Sequence, residues 1–291
     1  MLAVLLHRAI VMRAAWLVCL ALGGCDARIA DDLGGLDDGK GDGNGRSARC
    51  KQVDVVFSID NSGSMQLEQK ELRERSFPAF APELLKIAGG LDDYRVGVLD
   101  ACDRPASFHT RGVRGECNFA GGNPWMDSSS PSLVAEYDCV ADIYSGDAQC
   151  SGNDDDEQPA MAAAAALEPA WAGPGRPNEG FLRDDALLVV VAITDEDEHP
   201  VSGADARQIY DRLVATKGDV RKIVFVGIGG SDHCEGDYGR ADDAEKLEDI
   251  TELFRDMRRG VFWDLCDGGL DRALVEALDT IEDACEDYPL R

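Results

Sequence analysis

The run Val53-Asp54-Val55-Val56-Phe57-Ser58-Ile59 constrains this chain more than any other stretch. β-Branched and aromatic residues with almost no polar break predict a strand buried on both faces, the kind found in the middle of a parallel sheet. The run ends in Asp60-Asn61-Ser62-Gly63-Ser64. A carboxylate and two hydroxyls at alternate positions, with Gly63 permitting a tight turn, make a set of hard oxygen ligands. Such ligands suit Mg²⁺, Mn²⁺ or Ca²⁺ and not zinc or copper. The carboxyl ends of parallel strands are also where open α/β sheets place their ligands.

A second run, Ala186 to Thr194, is the most apolar strand candidate in the chain, and it too ends in acid: Asp195-Glu196-Asp197-Glu198. If the two strands are neighbours, Asp60 and these four acids crowd one rim. At least two of Glu196, Asp197 and Glu198 are expected to splay into solvent. Tyr94–Leu99, Lys222–Gly229 and Gly260–Leu265 read as further strands, the last at an edge, and Gly97 signals close approach of a neighbouring element. Helical patterns fall between them. Gln66–Arg75 is interrupted at Phe77-Pro78 and resumes over Ala79–Ile87; Ala160–Leu167, Ala204–Lys217, Ala244–Arg259 and Leu270–Ala284 follow. Strand–helix alternation predicts an α/β fold with a doubly wound, mainly parallel sheet flanked by helices. Two segments break the pattern, at about residues 100–152 and 230–243. They read as loop insertions stapled by disulfides, the first with a short helix near Val134–Tyr144 and serving either a functional role or as a cap on the sheet edge.

Asp60-x-Ser62-x-Ser64 at the end of a buried strand, with a second acidic strand end at Thr194-Asp195, resembles the metal-ion-dependent adhesion site of the von Willebrand factor type A family. The resemblance spans roughly Cys50 to Cys285. It implies a Rossmann-like fold, a divalent cation (Mg²⁺ first, Mn²⁺ or Ca²⁺ as alternatives), and Asp195 as the second carboxylate, often through water. In that family a loop at about Gly152–Pro159 supplies a Thr. None stands here, which leaves Asn153 or Asp154 to take its place. The resemblance further implies a protein partner whose Asp or Glu carboxylate completes the cation's shell, and binding or adhesion in place of catalysis.

The N-terminus carries His7, Arg8 and Arg13, then an apolar run from Ala14 to Leu22 that is too short to span a bilayer as a mature helix. It ends Leu22-Gly23-Gly24-Cys25, which resembles a bacterial lipobox with cleavage before Cys25 and acylation of its thiol; an ordinary secretory signal is the alternative. Residues 1–24 are therefore read as a lipoprotein signal, 25–49 as a lipidated Gly/Asp-rich tether, and 50–291 as the folded domain. The expected place is the bacterial cell envelope, anchored to the membrane by lipid.

The formal net charge is −27. That excess of acid argues against nucleic acid as a partner, since binding it requires clustered Lys and Arg. Beyond Cys19 in the signal and Cys25, eight cysteines remain: Cys50, Cys102, Cys117, Cys139, Cys150, Cys234, Cys266 and Cys285. An even number in an exported chain points to disulfides. The expected pairs are Cys102–Cys117 and Cys139–Cys150 as local staples, Cys234–Cys266 between late loops, and Cys50–Cys285 joining the domain ends. No Gly-x-Ser-x-Gly elbow occurs, and His109, His199 and His233 fit no closed zinc spacing. The leading reading is a cation-dependent protein-binding domain and not an enzyme. The alternatives are a scaffold of the same fold without a cation, and a metal-dependent envelope hydrolase.

Overall fold

The computed structural model describes residues 50–102, 104–143, 157–200, 202–236 and 239–289. The signal, Cys25, the tether, Cys150, Asn153 and Asp154 lie outside them. The predicted central strand forms as β1, Gln52–Ile59. On one side it pairs in parallel with β2, Asp93–Asp100. The short β3, Met126–Asp127, runs antiparallel along the far side of β2. On its other side β1 pairs in parallel with β4, Leu187–Ile193, followed by β5, Ile223–Gly229, and β6, Gly260–Asp264. The sheet order is β6-β5-β4-β1-β2-β3. This is the expected doubly wound, mainly parallel sheet.

Alternation along β1 divides the interior into two cores. Val53, Val55, Phe57 and Ile59 face one side, against α2 (Phe77–Leu84), α3 (Leu133–Val140) and α7 (Leu270–Glu286). Phe57 stands edge-on to Phe77 and Tyr137, whose rings stack 3.5 Å apart. Val56 faces the other side, against α4 (Pro159–Leu167), α5 (Ala206–Lys217) and α6 (Glu245–Arg255). Every residue of α4 is buried, as a helix apolar on all sides requires. Its alanines hold it close to the sheet.

Two expectations about local structure need correction. Pro78 does not separate two helices. A π-helical turn, Leu72–Ser76, links α1 (Gln66–Glu71) directly to α2, and Ser76 Oγ donates to the Glu71 carbonyl at 3.3 Å. Pro78 falls in the first turn of α2, where a missing N–H is tolerated. The second correction concerns the cysteines. Cys50–Cys285 and Cys234–Cys266 pair as expected, but Cys117 bonds Cys139, and Cys102 is disulfide-bonded elsewhere. The reason is tertiary. The hairpin Arg111–Gly112/Gly115–Glu116 packs on the end of α3: Val113 N–H donates to the Asp142 carbonyl, and Arg114 pairs with Asp138 and Asp142. That places Cys117 beside Cys139, with Cα atoms 5.9 Å apart.

The first insertion covers the sheet edge, since β3 and α3 both belong to it. It also explains Gly97, where a Cβ would lie 2.6 Å from the Phe108 ring. Gly97→Ala is therefore expected to lower stability by about 1–3 kcal/mol through overpacking, read from the denaturant midpoint; an unchanged midpoint would show that Phe108 can move aside.

Candidate metal centre

The parallel register of β1 and β4 sets Ile59 opposite Ile193, so the next residues, Asp60 and Thr194-Asp195, emerge side by side at the carboxyl rim. Asp60 N–H continues the ladder by donating to the Ile193 carbonyl at 2.9 Å. The turn then folds back on the carboxylate. Ser62 N–H donates to Asp60 Oδ1 at 2.7 Å, and Thr194 Oγ1 donates to Oδ2 at 2.9 Å. From α1, Gln69 Nε2 donates to the Asp60 carbonyl at 2.6 Å. The hydroxyls of Ser62 and Ser64 lie 2.9 Å apart.

Asp60 is fully buried and Asp195 is 4% exposed. Their carboxyls share a hydrogen bond. Burial raises Asp60 above the ordinary range, while the bonds from Ser62 and Thr194 oppose the rise. Asp195 is pushed up to about 8 by burial and then by the charge of Asp60; a hydrogen bond with Ser64 opposes this. Both carboxyls of the pair are thus raised by burial, and Asp195 Oδ1 has no hydrogen-bond partner. The structure brings together Asp60, Ser62, Ser64 and Asp195. Asn153 and Asp154 are outside the described residues.

Glu68 escaped the sequence reading, which took it only as a helix former. It is buried at 4% exposure, and neither carboxylate oxygen has a partner. Burial raises it to about 7, with the charge of Asp60 adding to the shift. Its cover is the hairpin Cys234–Gly236/Gly239–Ala241, where a Cβ on Gly239 would lie 2.5 Å from Glu68 Oε1. The signal available was spacing: Glu68 lies one helical turn beyond Ser64.

The acid run after β4 does not splay as expected. Only Glu196 is exposed. Asp197 Oδ1 accepts from the N–H groups of Lys246 and Leu247, at 2.8 and 3.4 Å, and so caps α6. Glu198 is buried and caps α4, accepting from Ala160 N–H at 2.9 Å and Met161 N–H at 2.8 Å. Orphan N–H groups at helix starts, together with the helix dipole, draw carboxylates in. Among the described residues, no three His, Cys, Asp or Glu side chains converge on one metal position. The candidate set is two carboxylates and two hydroxyls. These are hard oxygens at a strand end, and they fit a small divalent cation.

The chain matches no protein-family model and no curated protein. Solved structures similar to it include two crystal forms of proximal thread matrix protein 1 from the mussel byssus. Each shows 17% identity and a TM-score of 0.42, over 80% of this chain and 48% of that one. The manganese-loaded TRAP protein of Plasmodium vivax shows 11% identity and a TM-score of 0.40, over 81% of this chain and 74% of that one. The chain spans about half the length of the mussel protein it matches. The fold assignment rests on the strand order and not on these likenesses.

Two predictions follow from the buried acids. In the folded state, Asp195 and Glu68 keep protons that the unfolded chain releases at the ordinary values of 3.8 and 4.5. Stability of the cation-free protein should therefore fall as pH rises from about 5 to about 8. Thermal midpoints in EDTA would show this, and a rising midpoint would contradict it. The double variant Asp195→Asn with Glu68→Gln should lessen the fall, and Glu198, which burial pushes up to about 8, contributes to what remains. Separately, Glu198→Ala leaves two buried helix N–H groups without their acceptor and should cost about 1–3 kcal/mol, measured by chemical denaturation.

Proposed function

We propose that this chain is a divalent-cation-dependent protein-binding domain of the von Willebrand factor type A kind. Asp60, Ser62, Ser64 and Asp195 would hold the cation, with one group from the loop at Asn153 or Asp154. The observation that carries this reading is the pair of buried acids Asp60 and Asp195 at adjacent strand ends, with Asp195 Oδ1 lacking a hydrogen-bond partner and the Ser62 and Ser64 hydroxyls 2.9 Å apart in the turn that closes on Asp60. Two carboxylates about 4 Å apart repel by roughly 1–4 kcal/mol across water-like to surface-like dielectric. A cation between them turns that repulsion into attraction. Mg²⁺ is the first choice, because the ligands are few, hard and closely set; Mn²⁺ is a close substitute and Ca²⁺ a looser one.

A cation held by four or five protein oxygens retains an open position. A carboxylate from a protein partner would fill it, which makes the activity adhesion and not turnover. The described domain is stapled by disulfides, as suits an oxidising compartment. Among the described residues no helix is long and apolar enough to cross a membrane. Attachment would come from a lipid on Cys25, making this a lipoprotein of the bacterial cell envelope.

Calorimetric titration of Mg²⁺ and Mn²⁺ into the metal-stripped protein tests the reading. One cation per chain is expected, lost in Asp60→Ala and weakened in Asp195→Asn, with partner capture abolished by EDTA. A native protein that takes up no cation would instead be a scaffold on the same fold, its acid pair satisfied by protonation.

A further inference from the structure

We infer that Gln158 supplies the neutral oxygen ligand of the cation centre, the role assigned above to Asn153 or Asp154. The inference rests on the reading of that centre as a cation site. Gln158 immediately precedes α4, and its backbone N–H donates to the Ala101 carbonyl at 2.9 Å, just past the end of β2. Two and three residues later, the N–H groups of Ala160 and Met161 are held by Glu198, in the segment after β4. β1 lies between β2 and β4 in the sheet. The start of α4 is therefore tied to the rim on both sides of the strand that ends in Asp60.

There the Gln158 side chain is fully buried, and neither Oε1 nor Nε2 has a hydrogen-bond partner. A buried amide with both ends unmet is costly and rare in folded proteins. The rest of α4 shows what this environment accepts when only packing matters, since Ala160 and Ala162 to Ala166 are all apolar and small. An amide retained here at a cost has a use elsewhere. Its Oε1 is a hard, uncharged oxygen of the class that Mg²⁺, Mn²⁺ and Ca²⁺ accept. Being uncharged, it adds a ligand without adding to the repulsion among Asp60, Asp195 and Glu68.

The test is Mn²⁺ titration by calorimetry on the full chain, with thermal unfolding in EDTA alongside, for Gln158→Met, Gln158→Glu and Asp60→Ala. Methionine keeps the length of the side chain and removes both amide atoms. Gln158→Met should lose at least roughly tenfold in Mn²⁺ affinity, since losing even a group that only orients a ligand costs that much. In EDTA it should unfold at a higher temperature than the native chain, because the unmet polar atoms are gone. Gln158→Glu should bind Mn²⁺ at least as tightly as the native chain. If Gln158→Met binds Mn²⁺ like the native chain while Asp60→Ala does not, the role of Gln158 is refuted and the cation centre stands. If the native chain binds no Mn²⁺, both fail. A loss in Gln158→Met that Gln158→Glu does not restore, with a lowered unfolding temperature, would mark a packing role and equally overturn the assignment.

Discussion

The arrangement depends on the parallel pairing of β1 with β4. With Ile59 opposite Ile193, the strand ends coincide and two acids leave the sheet as neighbours. Every later feature of the rim answers that juxtaposition. Thr194 donates to Asp60, the Ser62 turn closes over it, Gln69 fixes its carbonyl, and the Asp195 carboxyl is raised beside it. A one-residue slip would reverse the faces of all side chains on one strand. It would carry Val55 and Phe57 out of the aromatic core and part the two acids together. Core packing and site geometry are therefore one constraint, enforced by the same register.

The parts legible in the sequence were those set by local pattern. The runs at Val53–Ile59 and Ala186–Thr194 are buried on both faces, so their composition alone announces central strands. Gly97 was legible because only an absent side chain admits the Phe108 ring. What could not be read there depends on contacts remote in sequence. Cys117 finds Cys139 because a hairpin packs on α3, and no spacing rule encodes that. Glu68 resembles any other helix residue until the hairpin at Gly239 covers it. Asp197 and Glu198 looked like solvated charge. Their targets are the first turns of α6 and α4, which lie 49 and 38 residues away.

The short interval from Asp195 to Glu198 illustrates how a dense acid run is accommodated. Asp195 is buried beside Asp60, which raises its carboxyl, Glu196 faces water, and Asp197 and Glu198 each take a pair of backbone N–H groups. The two capping carboxylates need no cation, because helix starts supply partial positive charge. They also anchor α4 and α6 to the rim, so the helices that flank the site are held by the segment that carries Asp195.

β1 itself provides an internal comparison between two buried acids. Asp54 near its start and Asp60 just past its end are both fully buried. Asp54 is met by Arg183, whose guanidinium lies 2.7 Å away and whose backbone N–H donates to it at 2.8 Å. Among the described residues, no basic side chain forms an ion pair with Asp60, Asp195 or Glu68. Buried charge is ordinarily paired with an opposite charge or bound to a metal. At one end of the strand the chain provides the arginine itself; at the other it gathers two carboxyls and two hydroxyls and, among the described residues, no cationic side chain. Under the proposed function, the counter-charge missing at that end is the one a cation from solution would supply.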